Sequence, residues 1–567
     1  MFRTFIKENK IVITETIVIF LLVAINSFIF CGHYRTLFVD RGRELLIPLS
    51  ILDGGVIYKS ILTIYAPLSY LINASAMFFT GKNIYTLYIL GTLNCCIFLS
   101  VFYFLCHKFL NRMLSWLLVL VVLYGSVCTD GIINLIFGHS FAMTYGLTAY
   151  SASVFCAIKF LETKNIKFAF LTSFFAGVSI SLKLDFFPVI FIPVLISFYG
   201  SINAKDILKS VCLFISVPLL TLFILFFQGL TVSELVNAGK FMSDFAETDA
   251  MTNFYKDVGA LPNFNLVKFF RYILFSIEFI ISCLFIYSGL YLYSNKYKSL
   301  YPIIIFSSLA LLFLVFISEP FYHFVFFPFI LFVFFIFNFK NLVREEKLYI
   351  LIFSLLGLFI RVWADLRMNF YGIYTLPFVY LVFAVLIRKY LTEIKFFSKI
   401  NLEYFLAIFL FIHSVYYFLS DVKAKTINSF PVKTQKGVVY LPENRAKDAG
   451  DLIEYINENT SKEDKILVLP EGQMINFFCG RKANMNLHML DRLYYEALGE
   501  KKSSKLLKDS DYDYIIIVKG YGSDNFGKPY LYTEKNSVTD FINDNYEIIK
   551  SIGNKNEHID IRKKKVI

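Results

Sequence analysis

The stretch DRGRELLIPLSILDGGVIYKSILTIYAPLSYLINA, Asp40 to Ala74, follows the first membrane-length apolar segment and carries Asp40, Arg41, Arg43, Glu44 and Asp53. Charge this dense beside apolar sequence needs water and implies a task. If the segment is helical from its start, Asp40 and Glu44 share one face, with Arg41 and Arg43 beside them. Two carboxylates flanked by guanidinium groups can accept a proton and hold a phosphate. Asp53–Gly54–Gly55 reads as a turn, because glycine enters positive φ at no steric cost.

Around this stretch the chain is that of a polytopic membrane protein. It has 567 residues, 57% hydrophobic and only 17% charged, with 66 Phe, and a mean hydropathy of +0.61. Ile11–Phe30 is too long for the core of a signal peptide and has no small-residue cleavage site after it, so it reads as a retained anchor. Further spans are expected at Ile84–Leu105, Met113–Cys128, Phe141–Phe160, Phe168–Leu182, Phe186–Tyr199, Ile207–Phe227, Leu266–Leu292, Leu300–Ile317, Tyr322–Phe337, Leu348–Val362, Gly372–Ile387 and Leu402–Leu419, about 13 in all.

The net charge of +12 sits in short loops between these runs. It reads as a positive-inside bias with attraction to membrane lipids, and nucleic acid is not expected as a partner. The loops MFRTFIKENK, HKFLNR, ETKNIK, NAKDILK, SNKYK, NFKNLVREEK and RKYLTEIKFFSK are basic at alternate connections, which assigns them to the cytoplasm. The N-terminus is then cytoplasmic. Asp40–Ala74, the acidic loop at Ser243–Asp257 and the C-terminal region lie outside a multi-pass protein of the cytoplasmic membrane. Ile61–Phe79 is expected at the outer interface rather than across the membrane, with Tyr65, Pro67, Tyr70 and Asn73 at the headgroup boundary. The nine cysteines form no CxxC and no His/Cys cluster, which excludes a zinc or disulfide framework.

Composition turns polar after Ser420, giving a helical membrane domain over 1–420, with its first outer loop at about 32–83, and a soluble α/β domain over 421–567. Strands are expected at Gly437–Leu441, Lys465–Pro470, Tyr514–Lys519 and Glu547–Ile552, with helices at Ala446–Asn459, Gly472–Phe478 and Val538–Asn545. The basic tail IRKKKV reads as a solvated end. This region holds no nucleophile motif, phosphate-cradling glycine loop or metal-ligand spacing, so no catalysis of its own is expected.

Charged residues beside apolar runs gather on the outer side: Lys183 with Asp185, Glu319 with His323, and Arg361, Asp365 and Arg367. Each could equally be a structural ion pair, and Lys183 with Asp185 could simply neutralise each other. His139, in the outer loop Asn134–Ser140, is either a substrate contact or an interfacial histidine without chemistry.

The run D-R-G-R-E…P…D-G-G-V-I-Y-K…Y-A-P-L-S-Y-L-I-N-A resembles the first extracytoplasmic loop of bacterial GT-C membrane glycosyltransferases, the family of protein O-mannosyltransferases and aminoarabinose transferases. Asn134–Gly146, Gly177–Phe187, Asn369–Phe378 and LPEGQMINFFCGRKAN are similar to further patches of these enzymes. The resemblance implies transfer of a hexose or pentose from a polyprenyl-phosphate donor to an acceptor on the outer face, with Asp40 as general base. The acceptor would be a lipid, a glycan or a protein. Arg41 stands where many members have a second acidic residue, and Ala66 where glycine is common. Either Glu44 takes the second acidic role or Asp40 acts alone.

On this reading Arg41, Arg43, Tyr65, His139, Lys183, Arg361 and Arg367 would bind substrate or its phosphate. A divalent Mg²⁺ or Mn²⁺ would suit oxygen ligands of this kind, though the residues require no cofactor. A flippase or transporter of lipid-linked sugars is the alternative, but charges at one membrane face, without internal repeats, fit it less well. A passive anchor for an outer scaffold needs far fewer spans.

Overall fold

The computed structural model describes residues 10–126, 134–257, 284–293, 299–307, 326–362, 372–390, 401–521 and 530–566, together with Phe270, Leu274, Ile277, Ile281 and Phe324 singly. The chain is mostly helical, with β-strands near its C-terminus. Among the described residues, six helices are long and apolar enough to cross a membrane: Ile11–Phe30, Ile84–Cys106, Phe141–Thr163, Ala204–Phe227, Phe327–Arg344 and Leu402–Ile427.

We label α1 Lys10–Phe30, α2 Arg43–Leu52, α3 Leu68–Thr80, α4 Ile84–Cys106, α5 Arg112–Ser126, α6 Phe141–Thr163 and α7 Ile166–Leu182. Helix α6 is central, buried over 94% of its apolar window, whereas Ala204–Phe227 is buried over only 17% and turns its side chains outward. Small residues let α6 approach its neighbours. Ser153 Oγ donates to Thr172 O and Ser179 Oγ to Gly146 O, both at 2.9 Å, and a Cβ on Gly146 would lie 2.2 Å from the Phe186 ring.

Beside the expectation of about 13 spans, the described residues hold six long apolar helices and several shorter ones. Met113–Cys128 and Phe168–Leu182 correspond to α5 and α7, of 15 and 17 residues. Phe186–Tyr199 divides into a 3-10 segment, Leu184–Ile190, containing Pro188, and a 10-residue helix, Phe191–Gly200. Leu348–Val362 becomes the 13-residue helix Glu346–Leu358, largely buried, followed by a 3-10 turn. Gly372–Ile387 becomes a 3-10 turn and the helix Leu376–Tyr390. Most of Leu266–Leu292 and Leu300–Ile317 lies outside the described residues.

Helix α3, of 13 residues, is about 20 Å long at the usual rise, against a hydrocarbon core of about 30 Å. Its Tyr70 and Asn73 are buried within the protein, not set at a headgroup boundary as their polarity suggested. The expected acidic loop at Ser243–Asp257 is helical over most of its length, in Val232–Ala246 and Asp249–Asp257.

Helix α8, Leu402–Ile427, runs past the domain boundary expected at residue 420. A hairpin follows, β1 Phe430–Thr434 and β2 Gly437–Leu441, pairing Phe430 with Leu441 and turning at Gly437, whose φ is +134°. After α9, Glu443–Asn459, come β3 Ile466–Leu469, α10 Gln473–Cys479, α11 Arg492–Leu498, β4 Tyr514–Lys519, β5 Tyr546–Gly553 and β6 His558–Lys564. The sheet order is β3-β4-β6-β5, with only β3 and β4 parallel. The expected solvated tail IRKKKV is largely strand β6, between β4 and β5. Ile559 and Ile561 alternate with charged residues, and that alternation buries one face of the strand.

The C-terminal region is joined to the helices by backbone. Tyr34 N donates to Tyr440 O at 2.8 Å and Tyr440 N to Gly32 O at 2.7 Å, and the His33 ring stacks on Tyr440. One apolar cluster combines Tyr34, Leu37, Phe38 and Leu45 of the first loop with Val439, Met474 and Phe477.

Candidate functional site

The first loop narrows to a turn at Val39–Gly42. Asp40 there has φ +48°, in the left-handed region, and helix α2 starts only at Arg43. Asp40 and Glu44 therefore do not share a helix face, because the expected periodicity begins after Asp40. The Asp40 side chain is 32% exposed beside a nearly sealed Arg43 at 7%, which leaves Asp40 the reachable member of the pair.

Arg43 Nη1 donates to Asp40 Oδ1, and its Nη2 donates to His139 O at 3.0 Å. The guanidinium also stacks on Tyr65, 4.2 Å from the ring centroid. On the other side His139 Nδ1 lies 3.2 Å from Asp40 Oδ2. Burial alone would raise the Asp40 carboxyl, but Arg43, and then His139, more than offset it and hold Asp40 well below the usual carboxylate range. The imidazole of His139 is pushed below its ordinary value by burial and by Arg41, against the pull of Asp40.

Glu44, in the first turn of α2, is 1% exposed. Its Oε2 accepts from Asn73 Nδ2 at 3.4 Å, and Asn73 Oδ1 accepts from Tyr145 Oη at 2.9 Å. Burial pushes its pKa up to about 7, with Arg43 and the Phe141 backbone opposing and Asp40 adding to the rise. Glu44 is a packed carboxyl under the loop rather than a second open one. Arg41 is buried as well, stacked 4.4 Å from the Tyr34 centroid, with Nε donating to Phe137 O at 3.3 Å. It ties the loop to the segment that carries His139.

Lys183 pairs with Asp185 at 3.2 Å, and its charge reaches Glu44. The side chain of Arg361, and all of Glu319, His323, Asp365 and Arg367, lie outside the described residues. Asp53–Gly54–Gly55 is a turn, with Gly54 at φ +92°. Among the described residues no three His, Cys, Asp or Glu side chains converge as metal ligands.

Sequence reasoning missed the C-terminal contribution. Asp40 N donates to Glu471 Oε2 at 2.8 Å, and a Cβ on Gly42 would stand 2.3 Å from Met474 N. Asp491 caps α11, accepting from Tyr494 N at 2.8 Å. Burial lifts the Asp491 carboxyl to about 7, with Tyr494 N–H opposing and Asp40 contributing. Burial, then Asp40 and Asp491, raise Glu471 well above the carboxylate norm. Buried His488 is pushed down to about 4. The available signal was Glu471 itself, an acid between an expected strand and an expected helix, where α/β sheets present functional loops.

No family model and no curated protein sequence matches the chain. Among solved structures it is similar to ArnT from Cupriavidus metallidurans in the apo state, at 10% identity and a TM-score of 0.47, over 97% of this chain and 98% of that one. The same protein bound to undecaprenyl phosphate gives a TM-score of 0.44 with the same identity and coverage. The archaeal oligosaccharyltransferase AglB from Archaeoglobus fulgidus, in complex with an inhibitory peptide and a dolichol-phosphate, is similar at 12% identity and a TM-score of 0.45, over 89% of this chain and 69% of that one.

Proposed function

We propose that the chain is an integral-membrane glycosyltransferase. It moves a sugar from a polyprenyl-phosphate donor to the hydroxyl of a lipid, glycan or protein acceptor at the outer face of the cytoplasmic membrane. The observation that carries this reading is the partly open Asp40 carboxylate set between Arg43 and His139. In the reaction the acceptor hydroxyl, hydrogen-bonded to Asp40, forms a bond to the anomeric carbon as the bond to the phosphate oxygen breaks. The hydroxyl proton goes to Asp40, the polyprenyl phosphate leaves as the anion, and the anomeric configuration inverts.

A carboxylate held strongly ionised is a weak base. The donor changes that balance. Its phosphate, arriving as a further negative charge near the pair, offsets part of the guanidinium field that keeps Asp40 acidic and raises its basicity when the donor is bound. As the phosphate becomes a leaving anion, Arg43 stabilises the transition state more than the ground state. Lys183, Arg361 and Arg367 are further candidates for phosphate contact, and Tyr65 and His139 orient the pair that carries the chemistry.

The test is transfer by purified full-length protein in lipid, using a radiolabelled polyprenyl-phosphate-sugar pool and total envelope acceptors. Asp40→Asn is expected to cut transfer about 10²–10⁴-fold while donor binding is retained. Full activity of this variant would overturn the reading.

A further inference from the structure

Asp40 adopts the left-handed conformation, which Asp tolerates better than most residues bearing a Cβ, and the turn that aims its carboxylate is held from outside. The segment Pro470–Gly472, at the carboxyl end of β3, supplies the hold. Glu471 Oε2 accepts the Asp40 N–H at 2.8 Å. Gly42 lies against the backbone of Gln473 and Met474 so closely that a Cβ would stand 2.9 Å from Gln473 C and 2.3 Å from Met474 N. From the other side, Leu490 N donates to Pro470 O at 3.0 Å.

The surroundings of Glu471 are unusual for an acid. Asp40 and Asp491 act on it as like charges, and Arg43 is the cation that acts on it in opposition.

We propose that Glu471 is a positioning residue. By accepting the Asp40 N–H it holds the turn in the left-handed form that presents the Asp40 carboxylate to Arg43 and His139, so the C-terminal region completes the transfer site rather than merely covering it. The proposal rests on the glycosyl-transfer reading above. It differs from a purely structural contact in what it slows: positioning acts on turnover at saturating donor, whereas a structural weld acts on stability and abundance.

The experiment compares the full-length wild type with Glu471→Gln, whose amide oxygen can still accept, and with Glu471→Met, which keeps the shape and loses the acceptor. Turnover and the half-saturating concentration of the radiolabelled polyprenyl-phosphate-sugar pool are measured on folded protein, with Asp40→Asn alongside. Glu471→Met is expected to lose about 10- to 100-fold in turnover at unchanged half-saturation, and Glu471→Gln to retain at least about ten times the turnover of Glu471→Met. Should Glu471→Met not fold, Gly42→Ala attacks the same apposition from the loop side and is expected to lose turnover likewise.

Wild-type turnover in Glu471→Met, or in Gly42→Ala where the first does not fold, with Asp40→Asn inactive, overturns the positioning role and leaves the transfer reading standing. Wild-type turnover in Asp40→Asn overturns both.

Discussion

The guanidinium of Arg43 rests on the ring of Tyr65, 4.2 Å from its centroid, while the same group bonds Asp40 and the carbonyl of His139. The ring face fixes the plane of the guanidinium, and that plane sets how its two amino groups meet Asp40 and the His139 carbonyl. A cation–π contact of this kind is worth about 0.5–2 kcal/mol. Tyr65→Leu should therefore slow transfer about 2- to 30-fold, and Tyr65→Phe should change it little. Initial rates at matched abundance test this; wild-type rates in Tyr65→Leu would mean that Asp40 and the His139 carbonyl hold Arg43 without the ring.

Glu44 gives a pH signature. Its carboxyl rises from 4.5 to about 7 on folding, so the folded protein binds a proton that the unfolded chain releases. The stabilisation is complete below pH 4.5 and is lost as pH rises towards and through about 7. Melting of wild type and Glu44→Gln across that window should show the wild type losing ground to the variant as pH rises. Parallel melting curves would remove Glu44 as the source.

Gly91, in α4, packs on the segment leading to His139. A Cβ there would stand 1.7 Å from Ile136 O, and the contact is backbone, which cannot rotate aside. Gly91→Ala should destabilise the protein by about 1–3 kcal/mol. It should also lower transfer in the fraction that folds, because Ile136 and Phe137 are held through Asn134 Oδ1 in the same short loop as His139. A lower melting temperature with unchanged turnover would show that the loop shifts without carrying His139.

Much of the architecture was legible. The strands at Gly437–Leu441 and Tyr514–Lys519 have the bounds their sequence suggested, because a β-branched run between turn residues leaves little freedom. Strand β6 was not legible: its two isoleucines are diluted among basic residues, and only pairing to β4 makes them core. Of the site residues, Asp40, Arg43, Tyr65 and His139 come together. Glu44 looks equivalent to Asp40 in sequence, yet it is buried while Asp40 is partly open. The helix starts three residues later than periodicity alone suggests, and a shift of that size moves a side chain from an open site into the interior. Glu471 could not be paired with Asp40 from sequence, because 431 positions separate them.

The backbone pairing of Gly32 and Tyr34 with Tyr440 has a consequence for biosynthesis. The first loop leaves the ribosome long before its partner strand exists, so the acceptor on Gly32 and the donor on Tyr34 must face water until most of the chain has been made. Ordering of the loop is then tied to completion of translation and to delivery of the C-terminal region to the same side of the membrane. A chain that stalls, or threads its last quarter the wrong way, leaves the Asp40 turn without its frame.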